Sequence, residues 1–473
     1  MKAKQITTYH VKGEAKTWEK ALAPEDESKS VKMIESNVIN LYPDFAFQTI
    51  EGFGGAMTES SAYLLSRMDE ETQNQALQDI FGPDGLHARF VRVPIASCDY
   101  SLEEYQAVAD PIADPDLATF SIDRDRKYVL PMLKKAIEIS AEPISVLMSP
   151  WSPPYQWKTA PKIAKNDAAV YGAMGMPVPE EIPQRNHGGS LKPEYYGSWA
   201  KYVVKYLQAY LDEGIPVTML SLQNETVAAT TWDSCVWTPE ESKTYLKDYL
   251  YPEMKKAGLT DKIGIFIWDH NKERAFEWAE TIIDAETDHM VAGIAFHWYS
   301  GDHFEALRML RERFPKKKLL LSEACIEFSK YSAEDNLANA QKYAHDIIGN
   351  LNEGMSVFLD WNLVLDELGG PNHVKNFCDA PYLFDTARKQ LVERELQSYI
   401  KHFSHYIETG AVRIGVSRYT DKLEITAFQE NSKIVFVLLN RTQEAIPAFI
   451  RLNDTCAGLI AASNSIATGV VNI

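Results

Sequence analysis

Two glutamates stand where a chain seldom places charge. Glu225 ends the apolar run 217–222 by way of Gln223 and Asn224, and Glu323 ends the run 317–322. Short apolar runs bounded by loop residues read as buried parallel strands, so both carboxylates fall at strand ends. Other run ends carry residues that packing does not ask for: Arg92 with Asp99 just beyond it, Trp151, Asn224, His297-Trp298-Tyr299 and Asp360-Trp361-Asn362. Converging carboxylates, aromatic rings and hydrogen-bonding groups suit the cleavage of a glycosidic bond. Rings pack on the C–H faces of a sugar, and amides and acids bind its hydroxyls. One carboxyl protonates the leaving oxygen, while the other attacks the anomeric carbon or activates water. Each residue alone has a plainer reading: a solvated loop Glu, a core Trp, a structural His. Their recurrence at the strand ends of one fold favours chemistry. HExxH and tight histidine spacing are absent, which argues against a metal hydrolase.

Eight such runs can be counted: Gly52-Phe53-Gly54-Gly55-Ala56-Met57, then 87–95, 142–149, 217–225, 262–270, 291–299, 317–325 and 355–363. Helical sequence follows most of them, at 128–140, 193–213, 239–257, 272–285, 303–314, 336–353 and 390–403. Strict alternation at this count predicts a (β/α)8 TIM barrel, an α/β fold whose C-terminal strand ends gather the reactive side chains. The glycines at 52–55 lack both GxGxxG spacing and a Walker lysine, so they read as a strand with close backbone approach and not as a phosphate loop; no cofactor is expected. After about residue 405 the texture becomes β-only, which predicts an appended β-sandwich. Residues 1–50 alternate polar and apolar and are expected to join that sandwich, giving domains of 1–50, 51–404 and 405–473. The connection 151–193 holds seven prolines and is long for a compact domain, as walls or lids of sites are.

A net charge of -18 is unsuited to nucleic acid or an anionic membrane surface and fits a neutral carbohydrate partner. No run reaches membrane-spanning length, and the polar start has no signal-peptide pattern, so a cytoplasmic location is expected unless a leader was removed. The five cysteines lack CxxC spacing and are expected to be reduced and partly buried. Oligomeric state has no signature here.

Several motifs resemble glycoside hydrolase family 30, the glucosylceramidase-like enzymes. They are Phe53-Gly54-Gly55-Ala56-Met57-Thr58, Arg92-Val93-Pro94-Ile95-Ala96-Ser97-Cys98-Asp99, Ser149-Pro150-Trp151, Phe296-His297-Trp298-Tyr299, Ser322-Glu323-Ala324-Cys325, Asp360-Trp361-Asn362 and Gly369-Gly370-Pro371-Asn372 through Asn376-Phe377. The likeness runs in order over about 50–415. It implies a retaining β-glycosidase with Glu225 as acid/base and Glu323 as nucleophile. It also implies Asp99, Trp151, Asn224, Trp361 and Asn376 around the sugar, and Tyr299 beside the nucleophile; His297 joins the substrate-binding set from its strand end. Glu323 is expected to be ionised at rest, helped by a hydrogen bond from Tyr299, and Glu225 to be protonated when substrate arrives. Thr226 replaces a proline usual in the family's glucosylceramidases, and the 151–193 connection is longer than theirs. An exo-acting β-glucosidase is the expected activity, with β-xylosidase and β-1,6-glucanase as neighbouring alternatives. A non-catalytic sugar binder is disfavoured, because binding alone needs neither acid nor nucleophile.

Overall fold

A computed structural model describes residues 2–11, 14–22, 37–159 and 186–473. The core of the 151–193 connection, residues 160–185, lies outside them. Eight parallel strands close into a barrel in the order Gly52–Ala56, Phe90–Ile95, Ser145–Pro150, Val217–Ser221, Gly264–Asn271, Gly293–His297, Lys318–Glu323 and Met355–Asn362. The last pairs with the first, Val357 opposite Gly52 and Phe358 opposite Phe53. A Cβ on Gly54 would stand 1.7 Å from the carbonyl oxygen of Phe90, so close backbone approach, with no phosphate involved, accounts for this glycine.

Strand side chains alternate between faces, and here the alternation stacks layers inside the barrel. Phe90, Leu147, Met219, Phe266, Ala295, Leu320, Val357 and Leu359 plug its lower half. Two residues further along the same strands come Arg92, Ser149, Ser221, His297, Ser322 and Trp361, so the polar layer sits directly on the plug. Two irregularities adjust what that layer presents. The sixth and seventh strands shift register between Leu321 and Glu323, bringing Glu323 opposite His297. The fifth strand bulges between Trp268 and His270, with Trp268 and Asp269 both at positive φ (75° and 57°).

The helical readings mostly hold, with local differences. The segment expected at 239–257 runs as Pro239–Tyr245, a π turn at Leu246–Leu250, and Tyr251–Lys256. The one expected at 390–403 begins as a strand, Gln390–Glu393, that pairs with Tyr382–Asp385 in a small three-stranded sheet; the helix starts at Glu395.

Both chain ends build the second layer system. Strands Lys2–Val11, Glu14–Leu22 and Val38–Thr49 share one nine-stranded sheet with the six strands between Val412 and Asn472. Val38–Thr49 lies between Val412–Arg418 and Ile446–Leu452, and Lys2–Val11 pairs with Ser465–Asn472. The sheet wraps its own core, in which Leu22, Ile39 and Leu41 pack with Ile414, Ile425, Phe436, Ile450 and Leu459.

Candidate active site

Above the plug, Arg92 is fully buried and organises the polar layer. Its Nε donates to Ser149 Oγ (3.1 Å), Nη1 to Glu323 Oε2 (2.5 Å), and Nη2 to Asn224 Oδ1 (2.8 Å) and Asp269 Oδ2 (2.9 Å). Asp269 also accepts from Ser221 (2.5 Å) and from Ser322. A buried guanidinium needs such carboxylates, because its fork leaves no donor that can be hidden cheaply. His297 lies between two acids: Nδ1 is 3.3 Å from Glu225 Oε1, and Nε2 is 3.2 Å from Asp269 Oδ1. His270 Nε2 stands 3.8 Å from the same Glu225 oxygen. Tyr299 donates its hydroxyl to Glu323 Oε1 at 2.9 Å.

Glu225 is held by backbone as well. It sits at φ 47°, a strained value for a residue with a side chain, and its N–H donates to Asp269 O at 2.9 Å. Asn224 N–H donates to Pro150 O, and Thr226 O accepts from Trp237 N–H, so the turn is anchored on both sides without the proline.

A cavity of about 480 Å³ opens over these groups, lined among others by Asp99, Trp151, Asn224, Glu225, Tyr299, Glu323, Trp361 and Asn376. Eight of the nine expected site residues therefore meet in one pocket. The ninth, His297, is 0% exposed and lies beneath Glu225, so it contacts the acids and not the pocket. The strand alternation explains this, since His297 belongs to the layer below the rim. Trp151 and Trp361 stack on each other, with ring centroids 5.2 Å apart, and Arg92 packs over both. With 1% of each exposed, they have almost no open ring face to serve as a sugar platform. Trp232, half-buried at the rim, is the more open indole. Of the other strand-end residues, Asp360 accepts from Tyr343 (2.7 Å) and Trp298 donates to Cys325 O (3.2 Å), both away from the cavity.

Asp269 and His270 were not among the expected site residues. They end the fifth strand, and the strand-end rule that singled out the others applies equally to them. What the sequence hides is the bulge that lets neighbours both work, Asp269 below and His270 on the pocket wall.

The electrostatics reorder the expected charge states. Burial raises the Glu225 carboxyl, but the fields of His270, His297 and Arg92 outweigh it and lower it to about 2; burial lowers His270 as well, so near neutral pH the imidazolium beside Glu225 is that of His297. Burial opposes a charged His297, yet Glu323, Asp269 and Glu225 lift it to about 9. Burial, joined by the charge of Glu225, pushes Glu323 above its ordinary value against the pull of His297 and Arg92. Burial and the charge of Glu323 push Asp99 well up, while Asn376 Nδ2 donates to its Oδ2 (3.0 Å). These fields favour an ionised Glu225 beside a protonated His297, whereas the acid step needs a proton on Glu225 when substrate arrives. The acids and His297 titrate as a unit. Glu225, His297 and Glu323 each bring an atom within 4.8 Å of the others, a spacing that could suit a cation. Both nitrogens of a protonated His297 face carboxylates, however, so no lone pair is left for one.

The profile of the glycosyl hydrolase family 30 TIM-barrel domain matches residues 50–407, and that of the family's beta sandwich domain matches 410–469. The chain is 30% identical to the lysosomal acid glucosylceramidase of Mus musculus over 445 residues, 89% of this chain and 82% of the relative. It is 24% identical to the endo-1,6-beta-D-glucanase of Neurospora crassa over 372 residues, 77% and 72% of the two chains. The crystal structure of SrfJ from Salmonella typhimurium matches with a TM-score of 0.88 at 32% identity over 100% of both chains. An endo-β1,6-glucanase structure matches with a TM-score of 0.84 at 25% identity, covering 100% of this chain and 99% of the other. The chain belongs to glycosyl hydrolase family 30 and is a glycoside hydrolase.

Proposed function

We propose that this enzyme is a retaining, exo-acting β-glucosidase in which Glu323 attacks the anomeric carbon and Glu225 serves as acid, then base. The observation that carries the reading is the close approach of the two carboxyls on one pocket, one oxygen of each lying within 4.8 Å of the other. Retaining hydrolysis works at about 5–5.5 Å, whereas an inverting enzyme needs roughly 6.5–9.5 Å to admit water between the acids. Exo action is supported by the gradient of burial: Asp99, Trp151, Asn224 and Trp361 are buried, while Trp232 and Asn271 are half-buried and Lys330 is exposed. A terminal sugar fits against the closed side, and its leaving group projects past the rim. No helix among the described residues is long and apolar enough to cross a membrane.

The chemistry proceeds through the cluster. Arg92 and Tyr299 orient Glu323 for attack. As the glycosyl ester forms, the negative charge of Glu323 disappears. That charge is the main attraction holding the His297 proton, so the imidazole becomes a better donor as the leaving oxygen needs protonation. The proton passes from Nδ1 to Glu225 and on to that oxygen. In the second half-reaction Glu225, ionised again once its proton has left with the aglycone, is the base that activates water, and neutral His297 can take that proton back.

The test is a panel of nitrophenyl glucoside, xyloside, galactoside and fucoside, with the anomer first released followed by NMR. Highest turnover on the glucoside with β product supports the proposal, and α product rejects the retaining mechanism. The likeness to endo-1,6-β-glucanases favours one second reading, internal cleavage of a β-1,6-glucan. Gentio-oligosaccharides blocked at the non-reducing end resist the exo enzyme and are cut by the other.

Asp99 carries the preference for glucose. Fixed by the amide of Asn376, its carboxyl takes the hydroxymethyl group that xylose lacks. Asp99→Ala is expected to lower kcat/KM on the glucoside about tenfold to a hundredfold more than on the xyloside, the scale of one or two lost hydrogen bonds to a charged or buried partner. Equal losses would remove the preference.

The pH profile follows from the same cluster. Activity should fall at acid pH as Glu323 protonates above its ordinary range, and at alkaline pH as His297 loses its proton near 9. The stability signs agree. The raised His297 contributes fully below its ordinary 6.5 and loses that contribution as pH climbs through about 9. The lowered Glu225 contributes above its ordinary 4.5 and loses it as pH falls toward about 2. His297→Asn should abolish the alkaline limb of both profiles; a limb that stays in place assigns it to another group.

A further inference from the structure

Beside the pocket two thiols meet. Cys325 follows Glu323 by two residues and lines the cavity, while Cys378 follows Asn376 by two and is fully buried. Cys325 Sγ lies 3.2 Å from Cys378 Sγ. The two segments are tied by backbone bonds, Phe328 N–H to Phe377 O (2.9 Å) and Asp379 N–H to Ile326 O (2.9 Å), so the contact is built into the fold. Each thiol also reaches a working group. The Tyr299 hydroxyl that donates to Glu323 stands 3.3 Å from Cys325 Sγ. Asn376, on the segment of Cys378, holds Asp99.

We propose that Cys325 and Cys378 form an oxidative modification site, at which a peroxide entering through the sugar pocket converts the dithiol to a disulfide and switches hydrolysis off. The Cys325 sulfur attacks one peroxide oxygen, the O–O bond breaks, and water leaves with the thiol proton, giving a sulfenic acid. The Cys378 sulfur then displaces the sulfenic oxygen as a second water. Two thiols and one hydrogen peroxide become one disulfide and two waters; sulfur is oxidised and peroxide reduced. Burial keeps Cys325 a thiol at neutral pH, so the first step is slow and promoted by base. The second is intramolecular between atoms already in contact and is fast. A disulfide bond is about 2.05 Å long, so the sulfurs close by about 1 Å and draw the Cys378 segment toward the seventh strand end. Tyr299 loses its thiol neighbour and Asn376 shifts against Asp99, which disturbs Glu323 and the sugar-binding side together. The switch rests on the proposed roles of Glu323 and Asp99, but its formation does not.

The experiment treats the whole enzyme with hydrogen peroxide at neutral and alkaline pH, then measures glycoside turnover, intact mass and the peptide map. A Cys325–Cys378 cross-link and the loss of two hydrogens should appear in step with a fall in kcat/KM of about 100-fold, the scale of a misplacement near 1 Å. The reaction should run faster at alkaline pH and be reversed by dithiothreitol. Cys378→Ala should start with the activity of the parent and keep it under peroxide, with Cys378→Val as the better-packed companion. Inactivation without the cross-link, or a Cys378→Ala enzyme that is equally sensitive, overturns the proposal. A cross-link formed with turnover intact overturns the switch while leaving the hydrolytic reading to its own panel of substrates. The peptide map of the parent enzyme decides the chemistry even if neither variant folds.

Discussion

Glu323→Gly is expected to lower kcat by about five orders of magnitude on every substrate, activated or not, because no glycosyl-enzyme can form without the attacking carboxylate. That corresponds to about 7 kcal/mol of lost transition-state stabilisation. Folding should survive, since Arg92 keeps Asp269 and Asn224 as partners when Glu323 is gone. Unaltered secondary structure with lost turnover is therefore the expected pair of measurements. Azide should reach the vacated space and attack from the face that Glu323 used, giving an α-glycosyl azide. A β-azide from this variant would exchange the roles of the two glutamates.

Glu225→Ala should separate the two half-reactions. On an aryl glucoside with an acidic phenol the leaving group needs no proton, so the first step should proceed nearly as in the parent. Deglycosylation, which lacks its base, should then stall with a burst of one phenol per enzyme. On an alkyl glucoside, whose alkoxide must be protonated, the first step itself should fall by about 10²–10⁴-fold, the range of general acid catalysis. Azide needs no base and should restore turnover on the aryl substrate with β-glycosyl azide as product. Equal losses on aryl and alkyl substrates would deny Glu225 the role of acid. His297 sharpens the test: with Glu225 absent, its proton has no carboxylate relay toward the leaving oxygen, so the alkaline limb set by His297 should vanish from the residual rate.

Much of this enzyme is legible in its chain alone. Eight apolar runs alternating with helical sequence define the barrel because burial on both faces forces that composition on parallel strands. The position of Glu225 and Glu323 at run ends follows from the same rule. The nine-stranded sheet was readable only in part: period-two texture marked residues 1–50 as β, but which strands they would join depends on contacts across more than 350 residues of chain. Tertiary structure alone decided the rest. Register shifts at Leu321/Glu323 and Trp268/His270 set which side chains face inward, and such bulges leave little local trace. Only the closed barrel brings Arg92 of the second strand to Asp269 and His297 of the fifth and sixth, which are themselves paired neighbours. Their mutual fields then pull the Glu225 carboxyl down and the His297 imidazole up, because a side chain's pKa is set by the charges and solvent around it and not by its neighbours in the chain.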